Sequence, residues 1–351
     1  MATLKISILF RLCCLLSISF PIATAVPTDA AQEYAKGPGP YKVDAVFYEW
    51  VDVQRSREVP VKIYYPQPPN RWSKENQGLL PIIIFSHGLG GSREGYEYLG
   101  KHWAGYGYVS VHVQHRGSDE QVWKNKGKPV RRLGRAMIDP KNSINRVQDI
   151  SFAIDQMKLL NDEESPFKGR LNLDRIGVAG HSFGAFTSLA IAGQVFSGME
   201  DQKFSFVDPR VKAVIAMSSP VPKNRDSFDT AFGQIRIPCL HMTGTKDDSP
   251  MGTTTAEDRR IPFDYINGAD QYLVIFRDVN HMVFAGWDGT EERRPGEQSL
   301  VVLDLIRMSS TAFWDAYLKK NADAKNWLAG DGFKTALANE GTFEEKLRTG
   351  F

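Results

Sequence analysis

The sequence predicts an α/β fold with a mainly parallel central sheet and helices on both faces. Three observations carry this expectation. Short apolar segments alternate with helical stretches along most of the chain. Pro81-Ile82-Ile83-Ile84-Phe85 is a continuous apolar run, which suits a strand covered on both faces. Gly180-His181-Ser182-Phe183-Gly184 joins a second apolar strand to a helix of small residues, a strand-turn-helix junction typical of such folds.

Composition sets the outer limits. The chain has 351 residues, 42% hydrophobic and 24% charged, with a formal net charge of +2. These values suit a globular protein and argue against disorder, collagen-like repeats and a disulfide scaffold. The near-neutral balance gives no electrostatic case for nucleic acid, which calls for a clustered basic surface.

Met1–Ala25 reads as a secretory signal peptide. Lys5 and Arg11 make a basic start, Leu12–Ile22 is mostly apolar, and Ala23-Thr24-Ala25 offers the small-x-small cleavage pattern. The apolar run is too short for a membrane span. Cleavage near Ala25 would remove two Cys and two positive charges, leaving acidic and basic side chains equal in number and Cys239 alone. The expected mature protein is secreted or periplasmic, without an internal disulfide or a transmembrane segment.

Residues 26–43, with Gly37-Pro38-Gly39-Pro40, read as a flexible lead-in to one domain over 44–351. Val46–Val53 and Val59–Tyr65 are β-rich runs separated by polar residues, which suggests an antiparallel hairpin. After the 82–85 strand, Arg93–Gly105 can form a helix and Tyr108–His115 is again strand-like. In Ser143–Leu160, Ile144, Val147, Ile150, Ala153, Ile154 and Met157 fall near helical spacing. Arg175–Ala179, Val211–Met217, Cys239–Thr243 and Tyr272–Phe276 supply strands, Ala185–Gln194 a helix, and Ser299–Leu318 a closing helix. Two polar stretches, 119–141 and 220–234, read as surface loops or as a lid over a site.

The chemistry centres on Ser182. A tight strand-to-helix turn points its hydroxyl outward, and Gly180 and Gly184 leave room where a Cβ would collide. The helix start beside it brings a positive dipole end to developing negative charge. One strand earlier, Ser86-His87-Gly88-Leu89-Gly90-Gly91 is a glycine-rich turn able to aim backbone amides at a ligand oxygen. The N–H groups of Leu89 and Phe183 would then form an oxyanion hole. An acid and a histidine must follow in that order. Cys239–Thr243 runs into Gly244-Thr245-Lys246-Asp247-Asp248, and the spacing from Gly244 favours Asp247 over the alternative, Asp248. His281 follows the 272–276 strand. It is the only one of the seven His downstream of the acid. His87 and His181 belong to the two glycine motifs and read as supporting residues. No His or Cys cluster has metal-ligand spacing, and the chemistry calls for no metal or cofactor.

Taken together, these residues resemble an α/β-hydrolase over roughly 44–320. Phe85-Ser86-His87-Gly88-Leu89-Gly90 and Gly180-His181-Ser182-Phe183-Gly184 resemble the platelet-activating-factor acetylhydrolases and the dienelactone-hydrolase-like esterases of bacteria. The resemblance implies cofactor-free hydrolysis of carboxylic esters, often with short acyl groups. Two departures stand out. Such acetylhydrolases tend to take their acid after the preceding strand, where this chain has Ser218-Ser219-Pro220, and dienelactone hydrolases use a Cys nucleophile. The expected substrate is a small-molecule, lipid or polyester ester, with Phe183, Met282, Phe284, Trp287 and Trp123 as candidate pocket residues. A peptidase or amidase of the same fold and a non-catalytic binding protein are the competing readings.

Overall fold

A computed structural model of the chain describes residues 34–67, 78–198, 202–286 and 297–348. The expected export signal and Trp287 lie outside these residues. Of the segment read as a flexible lead-in, 34–43 packs against the body. Tyr34 donates to Asp315 Oδ2 at 2.6 Å and stacks on Trp327, and Tyr41 N–H reaches the Gly105 carbonyl.

Among the described residues the main sheet has nine strands. A hairpin, β1 (Val43–Asp52) and β2 (Arg57–Pro66), pairs antiparallel in unbroken register and joins β4 (Val109–Val113) antiparallel. The centre is parallel: β4, β3 (Leu80–Ser86), β5 (Leu171–His181), β8 (Val211–Met217), β9 (Cys239–Lys246) and β10 (Gln271–Asn280), in that spatial order. A short separate hairpin, β6 (Val195–Ser197) and β7 (Lys203–Ser205), precedes β8.

Both faces of the sheet are covered, and β3 shows why its sequence is apolar without alternation. Ile82 and Ile84 join one core with α3 (Pro140–Asp162), α4 (Phe183–Ile191) and α5 (Phe228–Phe232). Ile83 and Phe85 face the opposite core, with α1 (Glu97–Gly105) and α7 (Glu297–Tyr317). A strand with water on neither side gains from an apolar residue at every position. This is the mostly parallel, double-faced architecture that the sequence predicts.

The structure corrects three expectations. The 119–141 stretch is not all loop: Lys128 turns left-handed and Pro129 then starts α2 (Pro129–Ile138), proline being preorganised for a first helical turn. Its Arg-rich exposed face hid the helix from hydropathy. The 220–234 stretch likewise contains α5. After a short α6 (Ile261–Tyr265) and β10, α7 does not close the fold. It leads to α8 (Ala322–Ala329), α9 (Asp331–Leu337) and β11 (Gly341–Lys346), which pairs antiparallel with β10 as an edge strand. Gly341-Thr342-Phe343-Glu344-Glu345-Lys346 has too little apolar character to announce itself as a strand.

Burial of histidine gives the fold a defined acid response. Desolvation pulls His102 and His112 down to about 3 and His241 to about 4. Unfolded imidazole binds its proton near 6.5. Unfolding therefore takes up protons between these values, and stability held in full above pH 6.5 is lost as pH falls through the window. Each residue contributes a slope of up to about 1.4 kcal/mol per pH unit. Burial lowers His115 to about 3 and holds His87 and His181 well below the usual imidazole range as well, so denaturant unfolding from pH 7.5 to 5 should show stability falling with a combined slope approaching six protons. A flat profile would contradict the buried neutral imidazoles.

Candidate active site

The parallel strands deliver their carboxyl ends to one edge, where α/β sheets hold their ligands. The glycine turn follows β3, Ser182 follows β5, Ser218 follows β8, Asp247 follows β9 and His281 follows β10. Residues far apart in sequence thus converge through topology.

At the β5–α4 junction Ser182 holds φ 57° and ψ −116°, a conformation costly for an L residue. Packing enforces it. A Cβ at Gly180 would overlap the Gly184 carbonyl, and one at Gly184 would overlap the Ser86 carbonyl. Strand, turn and helix can approach this closely only with glycine at both positions. Ser182 N–H donates to the Met217 carbonyl at 2.8 Å, tying the turn to β8.

His281 comes next. β10 reaches Asn280 through a bulge between Phe276 and Asn280, so His281 follows the strand directly instead of after the short loop expected from the sequence. Its Nε2 lies 2.9 Å from Ser182 Oγ and its Nδ1 2.6 Å from Asp247 Oδ1. An ionised carboxylate only accepts, so Nδ1 carries the proton and Nε2 is free to accept from the serine hydroxyl. Asp247 is fully buried, and Thr243 Oγ1 donates to its other oxygen at 2.8 Å. Asp248 is exposed, points elsewhere and accepts from Ala256 N–H at 2.9 Å. The structure brings Asp247, and not Asp248, to the imidazole.

The glycine turn lies over this junction. Gly90 N–H reaches the Ser118 carbonyl at 2.8 Å, Gly91 N–H the Gly88 carbonyl at 3.1 Å, and Gly88 N–H the Tyr96 hydroxyl at 3.2 Å. A Cβ on Gly88 would stand 3.3 Å from His181 Nδ1, so this backbone rests on the residue before Ser182. Among the described residues the N–H groups of Leu89 and Phe183 have no acceptor. His181 joins Tyr96 through Nδ1 at 2.8 Å and packs 4.7 Å from the His281 ring. Burial, reinforced by His281 and Arg259, holds His181 well below the usual imidazole range, so it stays neutral. His87 accepts from His115 N–H through Nε2. Both histidines support the motifs from within.

Of the candidate pocket residues, Phe284 is fully buried and stacks on His181, so it forms wall beneath the site and not a contact surface. Trp123 Nε1 donates to the Gly90 carbonyl at 2.8 Å and braces the glycine turn. Phe183 and Met282 remain half-buried at the site.

Sequence reasoning missed Arg259. Its Nη2 lies 3.5 Å from Asp247 Oδ1, Nε donates to the Asp247 carbonyl at 3.1 Å and Nη1 to the Ser218 carbonyl at 2.6 Å. Burial lowers the guanidinium from its ordinary value while Asp247 opposes the shift. One buried cation thereby stands beside the Asp247 carboxylate and ties the ends of β8 and β9 together. Within the charged run Glu257-Asp258-Arg259-Arg260, nothing in the sequence separates this arginine from Arg260, which pairs with Asp264 and Glu344 nearer the surface.

The sheet and its strand order are those of the α/β-hydrolase fold, and two family models of hydrolases match parts of the chain. Residues 69–124 match the family model of platelet-activating factor acetylhydrolase, isoform II, and residues 113–254 match that of serine hydrolase (FSH1). The chain is similar to a platelet-activating factor acetylhydrolase of the dog, Canis lupus familiaris, with 24% identity covering 70% of this chain and 59% of the relative. A putative phospholipase A2 of Schizosaccharomyces pombe is 29% identical over 34% of this chain and 36% of its own. A platelet-activating factor acetylhydrolase of the guinea pig, Cavia porcellus, is 27% identical over 39% of this chain and 36% of its own. The chain thus spans less than two thirds of the length of these relatives. Among the described residues no helix is long and apolar enough to cross a membrane.

Proposed function

We propose that this protein is an exported serine hydrolase of carboxylic esters, acting through an acyl-enzyme. The observation that carries the reading is the hydrogen-bonded line from Ser182 Oγ through His281 to buried Asp247, with separations of 2.9 and 2.6 Å. In the first step His281 Nε2 takes the hydroxyl proton as Ser182 Oγ attacks the ester carbonyl. Asp247 fixes the imidazole tautomer and stabilises the imidazolium. The Leu89 and Phe183 amides receive the oxyanion, a donor pair in which each member is worth about 2.7–4 kcal/mol of transition-state stabilisation. His281 Nε2–H then passes its proton to the departing alcohol. In the second step it deprotonates water, which attacks the acyl carbonyl, and the proton returns to Ser182 as the acid leaves.

Relatives named for platelet-activating factor acetylhydrolysis and for phospholipase A2 activity favour short-acyl or lipid esters as substrates. A panel of p-nitrophenyl esters from acetate to palmitate, run beside aminoacyl anilides, tests this choice. The proposal expects turnover of esters, fastest toward the acetyl end, and little cleavage of anilides. Anilide cleavage exceeding ester hydrolysis would overturn it in favour of a peptidase or amidase.

A further inference from the structure

Beneath the proposed oxyanion hole lies a buried cation that the mechanism does not use. Arg146 stands on α3 and is 0% exposed. Its Nη2 donates to the Ser86 hydroxyl at 3.0 Å and to the His87 carbonyl, its Nη1 to the Ser118 hydroxyl at 2.8 Å, and its Nε to the Thr187 hydroxyl at 3.2 Å. These acceptors fall into two sets. His87 is two residues before Leu89, and Ser118 holds Gly90 N–H through its own carbonyl. Thr187 in turn donates to the Phe183 carbonyl at 3.0 Å, and the guanidinium lies 4.5 Å over the Phe183 ring. One rigid fork therefore grips both the glycine turn that carries Leu89 and the elbow that carries Phe183.

All four groups it bonds are uncharged oxygens. Of the two nearby carboxylates, Asp149 is engaged instead by Arg57, Arg55 and His115, and Asp119 by Arg116 and Gln114. His115 Nε2 then lies 2.9 Å from Ser86 Oγ, which accepts from Arg146 and so donates to the imidazole. Burial lowers Arg146 only to about 9, so it is charged at neutral pH. A desolvated cation that no carboxylate touches projects its field into the low-dielectric space around it. Burying such a charge is costly without a role in organising the groups it bonds.

We propose that Arg146 is a positioning residue for the oxyanion hole, fixing the spacing of the Leu89 and Phe183 amides and adding a positive field beneath the developing oxyanion. The inference rests on the ester-hydrolase reading above. A lysine keeps the charge but loses the planar fork, and a methionine loses both.

The test measures kcat, KM and inhibition by a trifluoromethyl ketone, whose carbonyl becomes an oxyanion when a serine adds to it. Wild type, R146K, R146M and T187V are compared, with circular dichroism reporting the fold. R146K should lower kcat at least tenfold with KM within about threefold, and R146M at least a hundredfold. T187V, which spares the cation but cuts its hydrogen-bonded tie to the Phe183 carbonyl, should lower kcat by between about threefold and tenfold. The ketone Ki should rise in proportion to the fall in kcat/KM across the series. Folded Arg146 variants with kcat within threefold of wild type would overturn the proposal, as would a fall in kcat that leaves the ketone Ki unchanged. If neither Arg146 variant folds, T187V decides by the same two readouts. A wild-type protein that hydrolyses no ester would overturn the functional reading as well, whereas an active wild type with indifferent variants would overturn this inference alone.

Discussion

Ser182→Ala should reduce hydrolysis of p-nitrophenyl acetate on the order of 10⁴- to 10⁶-fold in kcat. The substitution removes one atom, the Oγ that stands 2.9 Å from His281 Nε2. The backbone that places it should persist, because φ 57° is imposed by close packing at Gly180 and Gly184 and by the Ser182 N–H bond to Met217. Thermal unfolding should therefore match wild type while activity is lost, and labelling by a fluorophosphonate should disappear with it. Residual catalysis over water would come from the amide pair and substrate binding, which the change leaves intact. An S182A protein that turns over the ester at the wild-type rate would remove the nucleophile from the account.

Asp247→Asn should cost about ten-thousand-fold in kcat, while Asp248→Asn should leave activity within twofold. Asp247 accepts the Nδ1 proton of His281 at 2.6 Å in a site sealed from water. An asparagine there can present its NH₂ to Nδ1, which shifts the ring proton to Nε2 and leaves no lone pair facing Ser182. Thr243 and Arg259 both donate toward this group and would meet a neutral amide in place of an anion. Asp248 is exposed, accepts from the Ala256 amide and reaches Arg259 only through its charge, without a hydrogen bond to the imidazole. The contrast between adjacent carboxylates separates charge in general from charge at one atom. Equal losses, or a larger loss at 248, would contradict the assignment.

The two variants also mark what could be read from the chain. The parallel sheet was legible because a strand buried on both faces needs apolar residues at successive positions, and Ile82–Phe85 states that need locally. The convergence of Ser182, Asp247 and His281 was legible through chain order, since each follows a recognisable strand and the sheet gathers strand ends at one edge. The bulge that carries β10 to Asn280 was not, because Arg277, Asp278 and Asn280 look like loop residues while the backbone resumes pairing with β9 at Asn280. Edge strand β11 escaped for a related reason: paired on one side only, it tolerates polar residues. Arg146 and Arg259 were invisible. An arginine becomes a buried brace only through partners such as His87, Phe183 and Ser218 that are remote in sequence, and nothing in its own neighbourhood distinguishes it from a solvated charge.

Ester hydrolysis by this protein should pass through an acyl group on Ser182. The most direct measurement is rapid acid quenching of wild-type protein mixed with p-nitrophenyl acetate, followed by peptide mass spectrometry. The expected result is a burst of p-nitrophenol matching the enzyme concentration and one acetyl group on the peptide containing Gly180-His181-Ser182-Phe183-Gly184, located at Ser182. Steady turnover with that serine unmodified, or with the acetyl group on a different residue, would contradict it.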